Sequence, residues 1–248
     1  MAFRARRPAA TTAAQYSVAM TEPPSPTASD APPASQAVVD LIGALGYGSL
    51  RGFSRMAVDA ELAPALPTKA AIARMAVTEF QHFETLTARL DRLGVSHDDA
   101  MAPFVAAIDS FHERTHPSDW LEGLVKAYVS DGIARDFYSE IARYVDSETR
   151  EFVTRVLADE GQEQIVLDAV RPVIDSDPRT ASRLALWGRR LVGEAIQQAQ
   201  QVAVARESLT ALLVGGWGSG ADIAELGQIF ARITEAHSER MTRLGLSA

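Results

Sequence analysis

Between Thr68 and Leu93 the residues Ile72, Met75, Glu79, His82, Leu86 and Leu93 recur at spacings of 3, 4, 3, 4 and 7. That is the period of one face of an α-helix. Four of the six are apolar, and the two in the middle are a carboxylate and an imidazole. Glu79 and His82 are three residues apart, so both side chains leave the same face. A carboxylate on an inward stripe is costly unless it meets a cation, a metal ion or a hydrogen-bond network. The fold must therefore bring partners to the middle of this helix.

Three more long helical periods surround it. From Ser35 to about Leu62 a first helix carries Leu45, Ser49, Gly52, Met56 and Ala60 on one face, and Pro64 and Pro67 end it. Thr68 is the expected N-cap of the central helix and Gly94 its stop. A connection over 95–118 holds a shorter amphipathic helix from Pro103 to about Arg114. Ser118 or Asp119 caps a third long helix to about Val145, whose stripe of Leu121, Leu124, Tyr128, Asp131, Arg135 and Tyr138 again has a carboxylate at its centre. A fourth helix, from Asp146 to about Ile174, carries Phe152, Val156, Asp159, Glu163, Val166 and Val170 without a break, with Gln162 alongside. Asp177-Pro178 opens a fifth helix to about Leu213, and Asp222 caps a sixth to about Leu244. No strand pattern appears. The expected class is all-α: two helical hairpins joined by one long crossover, which is the ferritin-like form of the four-helix bundle. The expected organisation is a disordered tail over 1–35, the bundle over 36–176, and a C-terminal helical hairpin over 177–248 packed on the bundle.

Composition narrows the chemistry. With no cysteine, disulfides, iron–sulfur clusters and cysteine zinc sites are excluded, so any metal must use carboxylates, His, Asn, Gln or water. A net charge of −8 disfavours binding to nucleic acid through its phosphates. No apolar run approaches the roughly 20 residues that a bilayer requires, so no membrane partner is expected. Arg4, Arg6 and Arg7 are not followed by an apolar core, which argues against a secretory signal and for the cytoplasm. The helices offer surfaces for a homodimer.

The stretches Tyr47-Gly48, AVTEFQHFETL, SDWLEGLVKAYVSDGIARDFYSEIA, SRLALWGRRLVGEAIQQAQ and ITEAHSERMTRLGL resemble the ferritin-like proteins known as tRNA hydroxylase-like, or MiaE-like. The resemblance runs over almost all of 36–248. It implies a di-iron site: a Glu on helix 1, Glu-x-x-His on helix 2, an acid on helix 3, and acid-x-x-His on helix 4. Glu79, His82, Asp131 and Asp159 match that pattern, whereas Ser49 and Gln162 stand where it has Glu and His. Glu163 shares the stripe of Asp159 and offers partial compensation. The candidate metal residues are therefore Glu79, His82, Asp131, Asp159, Gln162 and Glu163, with two irons and dioxygen implied by the family. One expectation is a hydroxylase-like, metal-dependent oxidoreductase with a partly degenerate site. The other is a non-catalytic bundle that acts through association and holds a buried polar network in place of metal.

Other motifs carry less. His112-Glu113-Arg114-Thr115-His116 spells the zinc-protease helix, but Pro117 biases His116 out of the helix, so the stretch reads as the frayed end of a surface helix. His237 lies with Phe230, Ile233 and Met241 and reads as a satisfied core histidine. Arg135, one turn after Asp131, offers it a salt bridge. The glycine-rich 215–220 stretch lacks the Lys and Ser/Thr of a phosphate loop.

Overall fold

The computed structural model describes residues 35–158, 161–209 and 223–248. Among them every regular element is helical, and no helix is long and apolar enough to cross a membrane. Residues 1–34 of the expected tail lie outside the described residues, as do the glycine-rich stretch and Asp222.

Helix α1 (Gln36–Asp59) begins at Ser35, whose hydroxyl accepts from the Val38 N–H, and runs into a short 3₁₀ turn. It pairs along its length with α2 (Leu66–Arg92). Thr68 is not the cap. The helix starts two residues earlier, with no side-chain cap at Ala65 and with Pro67 in the first turn, where its missing N–H leaves nothing unpaired. Gly94 ends α2 at φ 69°, with Val95 N–H donating to Leu90 O and Gly94 N–H to Asp91 O. That is the left-handed stop that glycine accepts without steric cost.

The crossover holds α3 (His97–Met101) and α4 (Val105–Arg114). Asp109 fastens α4 to α1, accepting from the Tyr47 hydroxyl at 2.8 Å and pairing with Arg51 at 2.7 Å. Helix α5 (Trp120–Ala142) starts at the Asp119 cap and ends where Arg150 donates to the carbonyls of Ala142, Arg143 and Val145.

The fourth long helix is interrupted. Asp146 caps α6 (Ser147–Val156), and α7 (Gln162–Ser176) begins after Gly161, which sits at φ 93°. The apolar period runs through this point in the sequence, but glycine takes the left-handed conformation freely and breaks the helical path. Gln162 is therefore the first residue of α7 rather than a mid-helix neighbour of Asp159, which itself lies outside the described residues.

Helix α8 (Pro178–Ala205) ends short of Leu213 and lies along α5. Arg183 pairs with Asp119 at 2.7 Å and with Glu122, and the Trp187 indole donates to Glu122 O at 3.0 Å. Helix α9 (Ile223–Leu244) packs on α5, α7 and α8, where Arg240 meets Asp136 at 2.7 Å. His237 of α9 is a core residue, 2% exposed, but neither ring nitrogen has a hydrogen-bond partner among the described residues. Burial, with the nearby Arg240 charge, lowers its pKa to about 4, so it sits there as a neutral, apolar-packed ring.

Close approach of α1 to its neighbours rests on glycine. A Cβ at Gly43 would collide with the Ala100 carbonyl oxygen, whereas one at Gly193 of α8 would meet nothing within 4 Å. Gly43→Ala is expected to cost about 1–3 kcal/mol, because backbone must move to relieve the overlap. Gly193→Ala is expected to gain about 0.5–1 kcal/mol from its better helix propensity. Urea unfolding midpoints of the two variants should shift in opposite directions.

Candidate functional site

Helices α1 and α5 run past each other with small side chains at their contact. Ser49 and Gly52 on α1 oppose Ala127, Ser130 and Ala134 on α5, and a cavity of about 160 Å³ remains between them. Helix α2 closes one side with Glu79 and His82, and α4 another with Ile108, Phe111 and His112. Helix α8 supplies Ala195, Gln198, Ala199 and Val202, and the α6–α7 break supplies Leu157, Ala158 and Gln162.

Four of the six candidate residues thus line one space: Glu79, His82, Asp131 and Gln162. Glu79 Oε1 lies 3.6 Å from His82 Nδ1, and the Glu79 carboxylate lies beside Gly52, where an added Cβ would meet it at an ordinary 3.5 Å. Glu163 lines a separate, smaller cleft with Tyr128, Asp131 and Arg240. There it sits 3.4 Å from Arg243 and 3.4 Å from the Tyr128 hydroxyl. Arg135 lines the main cavity too, but it forms no ion pair among the described residues, and its Nε is buried without a partner.

The cavity also holds Arg55, Asp59, His112 and Lys126, which the stripe analysis did not select. Arg55 lies 3.5 Å from Asp59, and Lys126 donates to the Thr115 carbonyl at 2.8 Å while lying over the Phe111 ring. Burial pushes the Asp59 carboxyl above the usual carboxylate range, against the pull of Arg55 and Lys126. Burial likewise lowers Lys126 to about 7; Asp59 opposes the shift, and Arg55 and Arg51 add to it. His112 falls to about 2, through burial first and then the Lys126, Arg51 and Arg55 charges. His112 is therefore no frayed surface residue. His116 is exposed beyond the end of α4, with its Nδ1 2.9 Å from Pro117 O, so the two imidazoles of the protease-like motif do not share a face.

A carboxylate-bridged two-metal centre uses about four carboxylates and two imidazoles, enough negative charge to balance two divalent ions. Here Asp59, Glu79 and Asp131 face Arg55, Lys126 and Arg135 in one cavity. The described lining is charge-balanced before any metal enters, and Ser49 and Gln162 add no charge. Among the described residues no three His, Asp or Glu side chains are close enough together to hold a metal ion. The described donor set does not fit two metal ions.

The neutral histidine gives a pH dependence. Its folded pKa of about 2 lies below the unfolded value near 6.5, so only the unfolded chain takes up the proton in this range. The stability it permits is complete above pH 6.5 and is lost progressively as pH falls. Lys126 acts with the same sign at higher pH, from 10.5 down to about 7, and is level below that. Unfolding free energy should therefore fall between pH 7 and pH 5, and His112→Leu should remove about 1–2 kcal/mol of that fall, read from urea midpoints at both pH values.

A family model described as "Ferritin-like domain, actinomycetes" matches residues 33–216. No curated protein matches the sequence. The match spans α1 to α8, every helix that lines the cavity, and the chain belongs to this family of ferritin-like domains.

Proposed function

We propose that this ferritin-like protein uses the interior of its bundle to bind a small, uncharged organic molecule, in the place where the resemblance puts a two-metal centre. One observation carries this reading. Glu79, His82, Asp131 and Gln162 converge on a cavity whose described carboxylates are matched one for one by Arg55, Lys126 and Arg135. A charge-balanced, low-dielectric space favours a neutral guest with a polar end over a bare ion, since an added charge there would be uncompensated. The volume of about 160 Å³ suits a ring of benzene size, which an engineered cavity of roughly 150 Å³ is known to hold. Apolar walls from Ile108, Phe111, Ile133, Phe137 and Val202 would hold the body of the guest, and the polar groups would orient its heteroatom.

A second reading is a hydroxylase-like, iron-dependent oxidoreductase. The observation in its favour is the Glu79–His82 pair, 3.6 Å apart and in one cavity with Asp131. That reading needs ligands beyond Glu79 and His82 that the described residues do not supply, since no three described His, Asp or Glu side chains lie close enough together to hold one ion.

Metal analysis of protein purified after iron supplementation separates the two. The binding-cavity reading expects well under one iron per chain, and about two would overturn it. Ser49→Glu combined with Gln162→His should raise the iron content if both positions face the carboxylates as the cavity lining places them.

A further inference from the structure

Lysine is rare in this chain. Of its 24 basic residues only Lys69 and Lys126 are lysines, and the remainder are arginines. Lys69 is a surface residue paired with Glu61 at 2.8 Å. Lys126 is 5% exposed and lines the cavity. Its one hydrogen bond goes to a backbone carbonyl, and among the described residues no carboxylate lies within ion-pair distance. An arginine cannot lose its proton under physiological conditions, whereas a desolvated lysine can and then becomes a nucleophile.

We propose that Lys126 is the reactive group of the cavity and forms a reversible imine with a small aldehyde or ketone bound against Phe111 and His112. The proposal rests on the reading that the cavity takes a small neutral molecule, and it names the chemical class of that molecule.

The step balances without a further reactant. The Nζ lone pair attacks the carbonyl carbon, the C=O π pair moves to oxygen, and a proton passes from nitrogen to that oxygen to give a carbinolamine. A second proton transfer lets the hydroxyl leave as water, and the C=N bond forms. Asp59, outside ion-pair distance of Nζ, would serve these transfers at the oxygen of the bound carbonyl compound. It is 5% exposed, lines the same end of the cavity, and packs against α5 at Gly123, one turn before Lys126. Burial raises its affinity for a proton and lowers that of Lys126. With its pKa lowered to about 7, a far larger share of Lys126 is neutral at pH 7 than of an ordinary exposed lysine. Arg51 and Arg55 of α1 are the neighbouring cations that favour the uncharged amine.

The test uses the folded full chain with benzaldehyde as probe, benzyl alcohol as its non-reactive analogue, and cyanoborohydride to reduce any imine to a stable amine. Peptide mapping by mass spectrometry then locates the benzyl group. The expected result is labelling of Lys126 at least about tenfold above Lys69 at pH 7, because a far larger share of Lys126 is neutral. Unfolding in urea should abolish that preference. Lys69→Arg should leave the Lys126 label unchanged, and Lys126→Arg and Lys126→Met should lose it. Labelling of Lys69 or the N-terminal amine in preference to Lys126 in the folded wild-type chain overturns the proposal, and this readout needs no variant to fold. Thermal shift with both probes separates the two levels. If both raise Tm but Lys126 carries no label, the cavity binds small molecules and the imine is wrong. If neither raises Tm and no label appears, the cavity reading falls as well.

Discussion

Asp59, Glu79 and Lys126 are largely withdrawn from water, and the rest of the bundle answers to that constraint. An isolated ionised group in a protein interior is penalised by several kcal/mol, so each requires a compensating partner. Glu79 has His82 one turn away, Asp59 has Arg55, and Lys126 has the Thr115 carbonyl and the face of Phe111. Gly52 of α1 lies against Glu79, and Gly123 of α5 lies against Asp59, both at ordinary contact distance for an added Cβ. The void is thus built from small residues where α1 and α5 would otherwise interdigitate.

The enclosing elements come from parts of the chain that a bare four-helix scheme treats as accessories. The crossover helix α4 is tied to α1 through Tyr47, Arg51 and Asp109, and this brings Phe111 and His112 to the cavity wall. The same crossover delivers the buried Thr115 carbonyl that Lys126 needs. Helix α8 is held on α5 by Arg183 and Trp187 near its start, so its later turns, with Ala195, Ala199 and Val202, form the far wall. Loosening either set of tethers would open the low-dielectric space on which the shifted Lys126 and His112 equilibria depend.

Helix identity was legible because apolar periodicity and end signals agree. Asp119 and Asp146 cap the helices that they precede in the sequence, and Gly94 ends α2 in the conformation that glycine favours. The Glu79, His82 and Asp131 positions were legible for the same reason, since each interrupts an apolar stripe. The break at Gly161 was not, because the period of Val156, Glu163 and Val166 continues across it and periodicity does not register a single left-handed residue. Arg55, Asp59, His112 and Lys126 escaped for different reasons. Arg55, Asp59 and Lys126 share helix faces with Ser49, Gly52, Gly123, Ser130 and Ala134, and small residues give no hydrophobic signal; His112 was missed because Pro117 made its stretch read as the frayed end of a surface helix. A stripe of small residues on two helices that also carries charge at the same period is the signal that would have marked Arg55, Asp59 and Lys126.

Charge balance is the step that connects the fold to its chemistry. A carboxylate-rich bundle interior is stable as a metal site because the ions repay its mutual repulsion. With Ser49 and Gln162 standing where the resemblance has Glu and His, and Arg55, Lys126 and Arg135 in the same cavity, the repulsion among the described carboxylates is offset by described cations. The balance depends on Lys126 being protonated, and its shift to about 7 means that a neutral amine is accessible without large cost. Loss of that proton leaves the carboxylates in slight excess, and Asp59, with its raised affinity for a proton, is the neighbour placed to take one up. A proton carried from Lys126 to Asp59 by way of a bound guest would leave the total charge of the cavity unchanged, which is the property that the proposed amine–carbonyl chemistry requires.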